Sequence, residues 1–265
     1  MGENISLFGW FRRRRRAALR ARPFPPEWHA IIEKNVPYAA QRSPADRDEL
    51  AGLIQVFLAE KRFEGCGGLE ITDEIRVTVA AQACVLLLHR QTDDYPAVSS
   101  ILVYPTTYLV TGAHRMAGGL IAEGPEARLG ESWERGVVVL AWDSVLSGAS
   151  DLHDGHNVVF HEFAHQLDQE SGGAGDGAPK LANRSLYAAW ARVLGHDFDQ
   201  LVRDTARHHR NLIDKYGASN PAEFFAVVTE VFFEKSRQLR STHPELYGQL
   251  QSFYRQDPAA DSPDR

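Results

Sequence analysis

The chain has 265 residues, 43% of them hydrophobic and 24% charged, which is enough to bury one large core in a single domain or a domain with a small appendage. A net charge of −6 and a pI near 6.0 argue against nucleic acid as a direct partner, because phosphate recognition needs a basic face. Two cysteines, Cys66 and Cys84, rule out a disulfide framework, and such sparse use suits a reducing, cytoplasmic compartment.

Residues 12–16 are five consecutive arginines, preceded only by the short apolar stretch from Ile5 to Phe11. A secretory signal would place its charge before a longer apolar run, and no segment reaches the roughly 20 apolar residues that span a bilayer. Met1-Gly2 with Ser6 matches a myristoylation pattern, which has meaning only in a eukaryotic source. A run of like charge is expected to be solvated, so residues 1–24 read as a basic, flexible arm, with transient contact to anionic lipid as the alternative.

Pro23-Phe24-Pro25-Pro26 marks a boundary, and residues 27–35 predict a short helix. Ser43-Pro44-Ala45-Asp46 opens another, in which Leu50, Leu53, Ile54, Val56 and Phe57 follow the 3.6-residue period. Gly65-Cys66-Gly67-Gly68 breaks the chain. From Thr72 onward, Val77, Val79, Ala80, Ala83, Cys84 and Leu87 predict a largely buried helix. The runs 101–104, 107–110 and 137–142 are β-branched or aromatic and bounded by Gly, Pro and Ser, so they predict the strands of a small mixed sheet. Helices are expected again over 155–169, 184–205, 220–237 and 243–254. The glycine-rich stretch 171–177 reads as a flexible loop, either a lid or a plain connector, and the polar tail 256–265 reads as disordered. The class is α+β: one domain over 25–255, with a helical part at 25–95 and the sheet and remaining helices at 96–255.

Within the segment 155–169, His161 and His165 lie four residues apart, on one face of a helix, where two imidazoles can meet one zinc ion at about 2.0–2.1 Å each. Glu162 is displaced by one position and suits a general base acting on a water beside the metal. Val158, Val159, Phe160, Phe163, Ala164 and Leu167 surround the motif, and burying two histidines and a glutamate among them would be costly without a partner. A catalytic site of this kind needs a third protein ligand, and none stands at the short downstream spacing of metzincins. Glu223 and Glu230, seven residues apart on a later apolar helix, are the candidates. Glu223 also fits a capping box with Asn220 and Pro221, while Glu230 fits a carboxylate that supports a ligand histidine. Spacing does not separate the two.

His-Glu-Phe-Ala-His-Gln-Leu-Asp (161–168), Lys-Tyr-Gly (215–217), Asn-Pro-Ala-Glu-Phe-Phe-Ala-Val (220–227), His-Pro-Glu-Leu-Tyr (243–247) and Phe-Tyr-Arg-Gln-Asp-Pro (253–258) resemble the Mlc titration factor A family of bacterial zinc peptidases. The resemblance runs from about Pro25 to Pro258 and is densest after residue 155. It implies a zincin-like gluzincin domain with a catalytic core similar to that of anthrax lethal factor. It further implies Glu223 as third ligand of Zn²⁺, and Tyr216, seven residues earlier, as a phenol lining the site and donating to the oxyanion. The expected activity is peptide-bond hydrolysis on a peptide or protein substrate, with aminopeptidase preference one form of it. Family members also bind the glucose repressor Mlc, so a Mlc-like repressor is an expected partner, and a regulatory binder that sequesters a transcription factor is the alternative function. The arginine-rich arm is not part of the resemblance.

Overall fold

The computed structural model describes residues 7–90, 94–107, 114–115, 121–122, 136–170 and 175–261. The protein is mainly helical α+β, as expected. Helices α1 (Leu7–Arg20), α2 (Pro26–Asn35), α3 (Pro37–Ala40), α4 (Pro44–Glu60) and α5 (Asp73–Val85) come first. After the strands come α6 (Trp142–Ser150), α7 (Val158–Gln169), α8 (Arg184–Ala206), a 3₁₀ turn (Lys215–Ala218), α9 (Pro221–Glu234), α10 (Ser236–Thr242), α11 (Pro244–Tyr254) and α12 (Pro258–Asp261).

Strands β1 (Arg62–Gly65), β2 (Ser100–Tyr104) and β5 (Val137–Ala141) form a parallel sheet in the order β1-β2-β5, with Phe63 opposite Ile101 and Ile101 opposite Val138. A separate antiparallel pair joins β3 (His114–Arg115) to β4 (Ile121–Ala122). β1 and α6 have no counterpart among the expected elements. The Arg62–Gly65 strand is only four residues long and largely exposed, so it carries no apolar alternation to read. Of the expected strand 107–110, residues 108–110 lie outside the described ones.

Local chemistry explains the helix starts. The Ser43 hydroxyl accepts from the Asp46 amide at 3.1 Å and the Thr72 hydroxyl from the Ile75 amide at 3.3 Å. The core lies where α4, α5, α7 and α9 meet. Phe163 is fully buried there, with its ring centre 4.7 Å from that of Tyr95 and 5.7 Å from that of Phe57. Phe160 packs against Phe233 at 5.2 Å, tying α7 to α9.

The described parts of three stretches read as loose make specific contacts with the body. Of the expected arm 1–24, residues 1–6 lie outside the described ones and residues 7–20 form a helix: Arg16 grips Glu60 through Nε at 2.9 Å and Nη2 at 2.6 Å, and reaches Asp94 at 3.2 Å. These partners are 44 and 78 positions away in the chain, and only folding brings them together. In the tail, Gln256 and Ala259 are buried, and Gln256 donates to the Val85 carbonyl at 2.8 Å, while residues 262–265 lie outside the described ones. In the glycine-rich stretch, 171–174 lie outside the described residues, but Gly177 donates to Asp168 at 2.8 Å and accepts from the Trp190 indole at 2.9 Å.

Candidate metal centre

Helix α7 presents the centre, and its first turn is fixed by Asn157. The Asn157 side chain caps the Val159 and Phe160 amides at 3.1 and 3.0 Å. Its own amide group donates to the Gly148 carbonyl at 3.3 Å, which ties α7 to α6. Gly148 must lack a side chain, since a Cβ there would come within 2.9 Å of the His156 carbonyl.

Three side chains converge. His161 Nε2 lies 3.0 Å from Glu223 Oε2 and 3.3 Å from His165 Nε2, and the latter is 3.4 Å from the same Glu223 oxygen. Among the described residues this is the one group of three His, Cys, Asp or Glu side chains whose donor atoms draw within 4.8 Å of one another. A tetrahedral ion bonded at about 2.0–2.1 Å separates its ligands by about 3.3–3.4 Å, so the triangle matches that demand closely.

The protons make the same point. His161 Nδ1 donates to Glu230 Oε1 at 2.7 Å, and Glu230 Oε2 accepts from the Asn157 amide at 2.5 Å. A proton held on Nδ1 leaves the Nε2 lone pair facing the Glu223 carboxylate, which is repulsive unless a positive charge lies between them. Burial opposes charge on His161, yet its bonds to Glu223 and Glu230 outweigh this and push it up to about 10. For Glu223, burial is likewise outweighed by hydrogen bonds from His161 and His165, which bring it down to about 2. The pocket thus favours positive charge between its ligand atoms, which either a proton on His161 or a bound divalent cation could supply.

Both alternatives for the carboxylates find a place. The Glu223 amide is capped by Asn220 at 3.0 Å, as the capping reading requires, but its carboxylate turns to the histidines instead of back to the N-cap. Glu230, two turns along α9 and 6% exposed, backs His161 from the far side and fixes its tautomer. The histidine-supporting reading of Glu230 therefore describes its geometry. Glu162 is partly buried, and burial raises its carboxyl above the usual range despite the neighbouring histidines. Tyr216 sits in the 3₁₀ turn, its ring centre 6.0 Å from that of His161, and its amide donates to Asp214 at 2.7 Å. Both His161 and Tyr216 help wall a cavity of about 590 Å³ that also touches Ser147, Asp154 and Lys215.

Sequence reasoning missed Glu234, one turn beyond Glu230, which is 5% exposed with neither carboxylate oxygen hydrogen-bonded. Burial, with Glu230 and Asp154 nearby and against the opposing influence of Asn157, pushes it up to about 9. Its place four residues after Glu230, on the same face of α9, was the available signal.

With this geometry in view, the comparisons with known proteins are specific. Residues 10–255 match the family model of the glucose-regulated metallo-peptidases M90. The chain belongs to this family. It is 44% identical over 238 residues to an uncharacterized protein of Synechocystis, covering 89% of this chain and 86% of the relative. It is 32% identical over 236 residues to proteins named Mlc titration factor A from Yersinia pestis and Yersinia pseudotuberculosis, covering 88% of this chain and 86% of each relative. The family name implies a metal ion, and the residues that could hold one are those at the centre. Among the described residues no helix is long and apolar enough to cross a membrane.

Proposed function

We propose that the protein is a gluzincin-type zinc metallopeptidase acting in the cytoplasm, with His161, His165 and Glu223 as the protein ligands of Zn²⁺. The single observation that carries this reading is the His161–His165–Glu223 triangle, whose edges of 3.0, 3.3 and 3.4 Å suit one small ion. Two imidazoles and one carboxylate are the donor set of hydrolytic rather than structural zinc, because they leave one coordination place for water. The ion, when bound, lowers the pKa of a water and polarises the scissile carbonyl.

The chain's own residues do the rest. Glu162, whose carboxylate is raised by burial, is suited to accept the proton of the attacking water and return it to the leaving amine. Glu230 holds His161 by Nδ1 and keeps Nε2 aimed at the centre. Tyr216, in the cavity wall, is the candidate donor to the oxyanion of the tetrahedral intermediate. Strand β5, one of the two edge strands of the described three-stranded sheet, offers an edge along which an extended peptide can dock. Asp154 and Asp214 in the cavity lining suit a free α-ammonium, which supports aminopeptidase preference.

Glu162→Gln is the direct test. It keeps the size and polarity of the side chain but removes the base. Turnover of peptide substrates should fall by about 10²–10⁴-fold while zinc content stays near that of the wild type. Normal cleavage by this variant would refute the general-base assignment.

A second reading rests on the names of the Yersinia relatives. In that reading the protein also titrates a Mlc-like transcriptional repressor. Pull-down of such a repressor by the Glu162→Gln variant should succeed, because binding needs no chemistry. Failure of both wild type and variant to retain it would remove this reading and leave the peptidase untouched.

A further inference from the structure

The charge of this chain is segregated. Residues 1–22 contain seven arginines and one glutamate, a charge of +6, so the rest of a chain whose total is −6 carries −12. The described part of that positive end is not a loose tail. Helix α1 is clamped by Arg16 to Glu60 and Asp94, by Arg20 to Asp94 at 3.4 Å, and by the buried Leu19. Arg12, Arg13, Arg14 and Arg15 are all exposed, and at about 100° per residue they step right round the helix. Nearer the N-terminus stand Trp10 and Phe11, 47% and 57% exposed, the two most exposed large hydrophobics among the described residues. Their rings meet edge to face at 4.9 Å, and the Arg14 guanidinium lies 5.4 Å over the Trp10 ring.

An aromatic tip with a collar of guanidiniums behind it has the chemistry of a bilayer surface in negative. Indole and phenyl rings settle at the boundary between headgroups and acyl chains, and guanidiniums pair with lipid phosphates. Duplex nucleic acid offers the same phosphates but no apolar layer for two exposed rings. We propose that α1 is an interfacial anchor that docks the protein on an anionic phospholipid membrane, with Trp10 and Phe11 entering the interface and the arginine collar binding phosphates. Because the clamp already orders the helix, docking costs little further ordering and holds the body in one orientation to the surface. This inference is independent of the peptidase reading.

The test uses the full chain and co-sedimentation with vesicles of phosphatidylglycerol in phosphatidylcholine, set against pure phosphatidylcholine. Binding to the anionic vesicles should be at least about tenfold tighter and should weaken with salt. Arg13→Gln with Arg14→Gln should weaken it about 25-fold, at about fivefold per arginine. Trp10→Ala with Phe11→Ala should weaken it by a similar order. Neither pair contributes to the buried contacts of Arg16, so melting temperature and metal content should match the wild type. Equal binding to neutral and anionic vesicles would overturn the proposal. So would an arginine variant that binds as the wild type does, or retention by a DNA duplex without retention by vesicles.

Discussion

Two buried polar clusters, built from similar side chains, differ in what they leave unfinished. In the clamp of α1, Arg16 and Arg20 face Glu60 and Asp94, and Lys61 donates to the carbonyls of Tyr95 and Val98 at 2.5 and 2.9 Å. Cations and anions meet within the chain, and the cluster closes on itself. The metal centre has Glu162, Glu223 and Glu230 around two imidazoles, with no lysine or arginine bonded to any of them among the described residues. That only imidazoles answer these carboxylates is consistent with the proposed metal site, since buried anions are kept where something positive faces them. The first cluster balances with permanent charges inside the chain, whereas the second relies on imidazoles, which a metal ion can use as ligands.

The largest expected effect tests the imbalance. Glu223→Ala removes a proposed ligand and should lower zinc affinity by more than the roughly 10–100-fold that loss of a supporting residue costs. Metal analysis after dialysis should then find far less than one zinc per chain, whereas Asn220→Ala should lose only the cap, about 1 kcal/mol of stability, and keep its zinc. A Glu223→Ala protein that still holds one equivalent would show that the three side chains do not form the site.

On the other side of the comparison, Arg16→Ala strands Glu60 and leaves Asp94 with Arg20 alone. Breaking a buried pair by removing one partner costs about 3–5 kcal/mol, and thermal unfolding should reveal it while zinc content stays unchanged. Burial already raises Asp94 despite its arginines, so it has little reserve once Arg16 is lost. Should the melting temperature hold, the clamp is not what orders α1.

Glu230→Gln lies between the two clusters in size. It keeps a hydrogen-bond acceptor for His161 but removes the charge, so zinc affinity should fall about 10–100-fold, read by competition with a chelator. The smallest effect belongs to Glu234. Its carboxyl is raised to about 9 from an ordinary 4.5, so the folded state holds a proton that the unfolded state releases. Between those values stability falls as pH rises, because ionisation costs the folded state more than the unfolded one. Melting temperature should decline from pH 5 to pH 9, and Glu234→Gln should flatten that decline. An unchanged slope would mean that Glu234 is ionised in the folded protein.

Much of the candidate site was legible. Four-residue spacing put His161 and His165 on one helix face, and the apolar surroundings made burial of that face expected. The capping signal at Asn220 located the start of α9 and so the height of Glu223 along it. Most helices followed from periodicity, because a 3.6-residue pattern is a property of adjacent positions. The strand Arg62–Gly65 was not legible, being too short and too exposed to show a period.

Local sequence therefore determined which helices form and which of their faces are apolar, since those follow from neighbours within a turn or two. Only the tertiary structure decided that Glu223 and Glu230, on the same helix, take opposite sides of His161 from 62 and 69 positions away. It likewise turned five like charges into a docked helix by supplying Glu60 and Asp94 from distant segments. The physical reason is the same in both cases: charge pairing in a buried place depends on which segments the core brings together, and no local pattern records that.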